Sequence, residues 1–205
     1  MAEKARVAVL ISGRGSNMEA LIGAARDPDC PYEVALVFSN VADVKGLETA
    51  RKAGIATVTL DHRRHGGRAA FDTKVDSILR EHGIQFVALA GYMRLLSDAF
   101  VAGWRGRMLN IHPSLLPSFP GLHTHDRAIE AGCRLHGCTV HFVTSELDCG
   151  PIVTQAAVPV LDDDTPDVLA ARVLAEEHRI YPEALKALCA GRLRIEGNRV
   201  FCTPA

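Results

Sequence analysis

The chain has 205 residues, a formal net charge of -1 and 48% hydrophobic residues, enough apolar side chains to close a core without disulfides or metals. So little net charge offers no field to gather a phosphodiester backbone, which counts against nucleic acid and in favour of small ligands. No apolar run is long enough to span a bilayer, and the opening MAEKARVAVLIS lacks the cleavage pattern of a signal peptide.

In chain order, short β-branched runs alternate with segments of helical spacing. RVAVLIS (Arg6 to Ser12), EVALVFS (Glu33 to Ser39), ATVTL (Ala56 to Leu60), FVALAG (Phe86 to Gly91) and MLNI (Met108 to Ile111) read as strands. Helical segments begin near Met18, Lys45, Ala69 and Asp98. This rhythm predicts an α/β fold: an open, mostly parallel twisted sheet with helices on both faces. The near-continuous apolar character of RVAVLIS and FVALAG agrees, because strands covered on both faces lose their alternation.

After His112 the texture changes. GCTVHFV and PIVTQAAVPV flank the loop TSELDCG and read as two antiparallel strands, followed by a helix from about Pro166 to His178 whose proline and carboxylates suit its N-terminus. RLRIEGNRVFC, with its glycine-asparagine turn, reads as a terminal hairpin. No repeat or linker interrupts the chain, so one domain is expected. The six cysteines, Cys30, Cys133, Cys138, Cys149, Cys189 and Cys202, lack CxxC pairing and fit reduced thiols in the cytoplasm.

Two stretches carry candidate chemistry. The first strand runs into GRGSNMEALI, where Ser16 and Glu19 have the spacing of a capping box and the glycines allow close backbone approach. A helix start here would cradle an anion at Gly15, Ser16 and Asn17. On spacing alone the same loop is equally a tight strand-to-helix turn without a ligand. It lacks the lysine of a Walker A loop and the third glycine of a dinucleotide fingerprint, so a monophosphate suits it best.

The second stretch is LNIHPSLLPSFPGLHTHD, from Leu109 to Asp126. Strand alternation sends Asn110 and His112 to one side and Leu109 and Ile111 to the other. Pro113, Pro117 and Pro120 restrict the backbone that follows. An asparagine amide and a cationic histidine together could polarise a carbonyl, and a nearby carboxylate would favour the cation. Asp148, in the loop between the two later strands, is the candidate. A strand-end histidine is nevertheless more commonly a satisfied polar group, and an aspartate before glycine commonly serves its own turn. His123, His125, His136 and His141, with Cys133, Cys138 and Cys149, lack the close pairs of a zinc site, so no metal is expected.

VLISGRGSNMEALI, FSNVADVKGLETARKAGI, LAGYMRLLS, LNIHPSLLPSFPGLHTHDRAIEAG, TVHFVTSELDCGPIVTQAAVPV and EEHRIYPEAL, in this order, resemble the phosphoribosylglycinamide formyltransferases, folate-dependent enzymes of purine synthesis. HPSLLP alone marks the wider formyltetrahydrofolate superfamily, whereas SGRGSN with PGLHTHDRAI narrows it. The resemblance implies a formyltransferase fold across residues 1–205, with a nucleotide-phosphate half over 1–112 and a folate half over 113–205.

It further implies that Gly15, Ser16 and Asn17 hold the ribonucleotide phosphate and that Glu177 approaches the ribonucleotide. Arg68, Met93, Arg94, Leu95, Leu96, Asn110 and Glu146 would contact 10-formyltetrahydrofolate, and Asn110, His112 and Asp148 would form the catalytic trio. Partners would be these two small substrates, with no nucleic acid, membrane or metal, in a cytoplasmic monomer or weak homodimer. Departures from the family pattern fall at Leu174 and in the basic stretch DHRRHGGRAAFD around Arg68.

Within the same superfamily, a formyltetrahydrofolate hydrolase would be expected to carry a domain before the first strand, and a methionyl-tRNA formyltransferase a C-terminal domain and a basic surface. A non-catalytic nucleotide-binding module would explain the glycine loop but leave Asn110, His112 and Asp148 without a joint purpose.

Overall fold

The computed structural model describes residues 3–203. Nine strands form one sheet in the order β3-β2-β1-β4-β5-β6-β7-β9-β8. The five strands β1 (Ala5–Ile11), β2 (Tyr32–Ser39), β3 (Ala56–Thr59), β4 (Phe86–Leu89) and β5 (Met108–His112) pair in parallel. Then β6 (Leu135–Phe142) and β7 (Ile152–Pro159) run antiparallel to their predecessors. The hairpin of β8 (Leu193–Glu196) and β9 (Arg199–Cys202) joins the sheet through one parallel pair, Ile152 with Arg199.

Both faces of the parallel strands are covered, which is why their sequences look uniformly apolar. Val7, Val9 and Ile11 pack with α1 (Ser16–Ala25), α2 (Lys45–Lys52) and α6 (Pro166–Cys189), while Ala8 and Leu10 pack with α3 (Arg68–Glu81) and α4 (Asp98–Gly103). The order β3-β2-β1-β4-β5 reverses direction between β1 and β4, and loops leaving such a reversal form a crevice. Ser12 closes that crevice: its amide donates to the Gly91 carbonyl at 3.1 Å and its hydroxyl accepts from the Met93 amide at 2.8 Å.

Three local expectations need correction. α1 starts at Ser16, two residues before the expected Met18, and the cap is Gly15 in the left-handed region (φ 79°) with no side-chain cap bond, so Ser16 and Glu19 form no capping box. The last long helix runs to Cys189, well past His178 and through Pro182. A mid-helix proline costs about 3 kcal/mol, but the buried stripe runs through it, with Ile180 and Tyr181 before Pro182 and Ala184, Leu185 and Leu188 after it, and their packing offsets that cost. A short helix, α5 (Thr124–Glu130), which the sequence reading did not name, also forms from the end of the proline-rich exit segment. Among the described residues no helix is long and apolar enough to cross a membrane.

Tyr181 ties α6 to the sheet. Its ring is fully buried, and its hydroxyl lies 2.9 Å from the Leu89 carbonyl and 3.1 Å from the Leu109 carbonyl, at the ends of β4 and in β5. Tyr181→Phe removes that bridge with little change of shape, and should lower stability by about 1–2 kcal/mol in urea unfolding at unchanged m-value.

Candidate active site

Asn110 and His112 leave β5 on the same face, as alternation requires, while Leu109 and Ile111 join the core under α6. What sequence could not supply was the register of β6. It sets His141 opposite Asn110 and Thr139 opposite His112, so four polar side chains share one patch of sheet.

Asp148 arrives from the β6–β7 connection. That connection leaves β6 at Phe142, level with Leu109, yet the Asp148 carboxylate lies beside His112, so the loop folds back across the polar face. Asp148 adopts φ 54°, and a Cβ on Gly150 would meet the Phe142 carbonyl oxygen at 1.7 Å in this fold-back.

Asp148 Oδ2 is 3.5 Å from His112 Nδ1, an ion-pair separation longer than a normal N–H···O bond, and accepts the Gly121 amide at 2.9 Å. Its other oxygen lies 3.8 Å from His141 Nε2. The side chains of His112 and Asp148 are only 7% and 6% exposed, so their interaction is poorly screened.

Hydrogen-bond partners fix the ring roles. His112 Nε2 donates to the Phe119 carbonyl at 3.0 Å, leaving Nδ1 to face Asp148 and the open side. Both ring nitrogens of His112 thus look at oxygen acceptors, which two N–H donors satisfy together. His141 differs: Nδ1 donates to the Phe142 carbonyl at 3.0 Å, so its bare Nε2 accepts from Asn110 Nδ2 at 3.2 Å. Burial pushes the His141 pKa down, in keeping with a neutral ring. That bond aims the Asn110 amide and leaves its second N–H without a partner among the described residues.

The segment after His112 is stitched to the sheet by Thr139. Its hydroxyl donates to the Ser114 carbonyl at 2.7 Å and accepts from the Leu116 amide at 3.1 Å and from Gln155 Nε2 at 2.9 Å. Ser114 Oγ donates to the Ser118 carbonyl at 2.6 Å, and Thr124 Oγ1 to the Pro113 carbonyl at 2.7 Å. The prolines expected to stiffen this exit therefore act together with a polar hub that spacing did not reveal. Behind it, the His125 and His136 rings stand nearly perpendicular with centroids 5.2 Å apart. Burial, and then the nearby His125, push the His136 pKa down to about 4.

At the first loop, Gly15 in the left-handed region opens α1. Asn17 Nδ2 donates to Glu177 Oε2 at 2.6 Å, so Glu177, buried on α6, is brought to the glycine loop across 160 residues of sequence. Burial raises the Glu177 pKa while the Asn17 bond opposes it. Asn17 Oδ1 is buried without a partner among the described residues, and Leu174, one turn before Glu177, is half-buried.

On the other side of the crevice, Met93 (68% exposed) and Leu95 (57% exposed) stand out from the segment after β4, and Leu96 is half-buried against the core. The Arg94 guanidinium lies over the Phe71 ring at 4.7 Å, and exposed Arg68 is one turn before Phe71 on α3. Glu146, exposed, lines a cleft with Leu116, Pro117, Pro120, Asp148 and Cys149. Among the described residues no group of three or more His, Cys, Asp or Glu is arranged to hold a metal ion.

The fold that carries these residues recurs in known proteins along nearly the whole chain. The family described as Formyl transferase matches residues 5–185. The chain belongs to that family. This formyl transferase is 50% identical over 195 residues to phosphoribosylglycinamide formyltransferase of Escherichia coli (strain K12), covering 95% of this chain and 92% of that one. It is also 50% identical over 200 residues to the trifunctional purine biosynthetic protein adenosine-3 of Bos taurus, covering 98% of this chain. The chain spans only 20% of that trifunctional relative's length. The crystal structure of glycinamide ribonucleotide transformylase 1 from Symbiobacterium toebii superposes with a TM-score of 0.97 at 48% identity, covering 100% of this chain and 96% of that one. Phosphoribosylglycinamide formyltransferase from Brucella melitensis gives a TM-score of 0.88 at 52% identity, with 95% and 100% covered.

Two outcomes follow for this formyl transferase. Thr139→Val keeps the shape of the hub but strands the Ser114 carbonyl and the Leu116 amide, and should cost about 2 kcal/mol or more of stability, read from the urea midpoint. The His136 ring binds its proton only near pH 4 when folded but near 6.5 when unfolded, so the unfolded chain takes up more protons between those values. Stability should therefore fall as pH drops from 6.5 to about 4, and the pH slope over that window should be shallower in His136→Gln.

Proposed function

We propose that this formyl transferase moves the formyl group of 10-formyltetrahydrofolate onto the amine of 5-phosphoribosylglycinamide, giving N-formyl-phosphoribosylglycinamide and tetrahydrofolate in purine synthesis. The observation that carries the reading is the convergence of Asn110, His112 and Asp148, from β5 and from a loop 36 positions beyond His112, around the His141 ring on one face of the sheet.

The amine nitrogen bonds to the formyl carbon and the carbonyl oxygen becomes an oxyanion. The second N–H of Asn110 and the Nδ1–H of His112 are the donors for it, in a site where burial strengthens both. Because Nε2 is anchored on the Phe119 carbonyl, the His112 ring cannot swing away from this position. Asp148 accepts the proton released by the amine through water, and that proton passes to folate N10 as the bond between N10 and the formyl carbon breaks and the carbonyl re-forms.

Gly15, Ser16 and Asn17 take the phosphate at the N-terminus of α1, and Glu177 meets the ribose side through its bond to Asn17. On the folate side, Met93, Leu95 and Leu96 supply apolar contact and free backbone amides. Arg68 and Arg94, flanking Phe71, suit the carboxylates of the folate tail, and Glu146 forms part of the cleft wall. By these contacts both substrates draw on both stretches of one unit: Arg68 and Met93 to Leu96 of the folate side lie within 1–112, and Glu177 of the ribonucleotide side lies within 113–205. The small-molecule substrates require no metal, since the formyl group is already activated on folate. Six free cysteines suit a cytoplasmic enzyme, acting as a monomer or weak homodimer.

Incubation with both substrates should release tetrahydrofolate at a rate that depends on the ribonucleotide. Release without it would indicate a hydrolase, and ribonucleotide binding without release would indicate a sensor module. His112→Ala and Asp148→Asn should each lower kcat by roughly 100- to 1,000-fold with ribonucleotide affinity largely kept. Near-normal turnover in either purified variant would remove the trio from the mechanism.

A further inference from the structure

Beneath the segment between β4 and α4 lies a polar cluster that the proposed chemistry does not use. Asp72, on α3, is 1% exposed, and Tyr92 and Ser97 are each 8% exposed. Asp72 Oδ2 accepts the Ser97 amide at 2.5 Å. Three buried polar atoms here lack partners among the described residues: Asp72 Oδ1, the Tyr92 hydroxyl and Arg94 Nε. A carboxylate is expensive to bury, and its place under a core of Phe38, Phe71 and Tyr92 calls for a purpose.

The backbone shows what the carboxylate holds. At its start, the segment is fixed by the Met93 amide on Ser12 Oγ (2.8 Å), and at its end by the Ser97 amide on Asp72 (2.5 Å). Between these anchors the amides of Arg94, Leu95 and Leu96 make no hydrogen bond to described residues. Three consecutive donors without a partner among the described residues, on a stretch with exposed Met93 and Leu95, are available to a planar, hydrogen-bonding heterocycle.

We propose that Asp72 is a positioning residue for the formyl donor: by fixing Ser97 it sets the amides of Arg94, Leu95 and Leu96 at the spacing the folate ring needs. Asp72 touches neither substrate and acts through the backbone it anchors. This inference rests on the proposed formyl transfer.

The test compares two near-isosteric variants in the full chain. Asp72→Asn keeps an acceptor oxygen for Ser97, whereas Asp72→Leu fills the same space without one. The leucine variant should raise KM for 10-formyltetrahydrofolate about tenfold or more, as loss of a hydrogen bond to a charged group allows, with KM for the ribonucleotide within twofold. The asparagine variant should stay within about threefold of the parent on both. Equal rises in both KM values, or no contrast between the variants, would overturn the assignment. Absence of turnover in the parent protein would instead count against formyl transfer itself.

Amide hydrogen exchange on the parent needs no variant. Ser97 should be protected in the free protein, and Arg94 to Leu96 should exchange fast until tetrahydrofolate is added. An unprotected Ser97, or protection of Arg94 to Leu96 by the ribonucleotide alone, would also overturn it.

Discussion

The reversal of strand direction between β5 and β6 is the constraint on which the site depends. Parallel strands up to β5 deliver loops to one crevice, but it is the antiparallel register that sets His141 against Asn110 and Thr139 against His112. A slip of one residue would turn His141 and Thr139 to the α6 face and leave Asn110 without its acceptor. From that register follow the aim of the Asn110 amide, the stitching of the proline-rich exit, and the fold-back that carries Asp148 to His112.

The three groups divide their tasks by environment. His141 is deeply buried with its Nδ1 on a backbone carbonyl, which leaves it neutral and able only to accept at Nε2. His112 faces an oxygen at each ring nitrogen. Two histidines only two strand positions apart in projection are thus sorted into an acceptor and a donor by the atoms opposite them. Asp148 lies between the two rings, 3.5 Å from one and 3.8 Å from the other, and its Gly121 bond fixes which oxygen serves which ring.

Much of this could be read from sequence, and the failures have physical causes. Alternation placed Asn110 and His112 correctly because it is a property of one strand. His141 and Thr139 escaped because their role is a property of a strand pair, and nothing in TVHFV states its register. The capping box at Ser16 was misread because a glycine before it takes a left-handed conformation that a serine cap does not need. The end of α6 was misplaced because Pro182 breaks helices in isolation, whereas here the apolar stripe beyond it is buried. The resemblance implied that Glu177 approaches the ribonucleotide; that its partner within the protein is Asn17 is visible only in the fold.

Tyr181 adds a consequence for reaction geometry. One helical turn separates it from Glu177, so the helix that bonds the glycine loop also grips the end of β4 and the strand that bears Asn110. The walls proposed for the nucleophile and for the formyl donor are therefore referenced to a single rigid rod, and cannot drift apart independently. Bringing two reactants together in this way raises their effective molarity, and that gain survives only while the reacting atoms stay within a near-attack distance of about 3–3.5 Å. On this view α6 works as a ruler between the two substrates, with a buried phenol as one of its fixed marks.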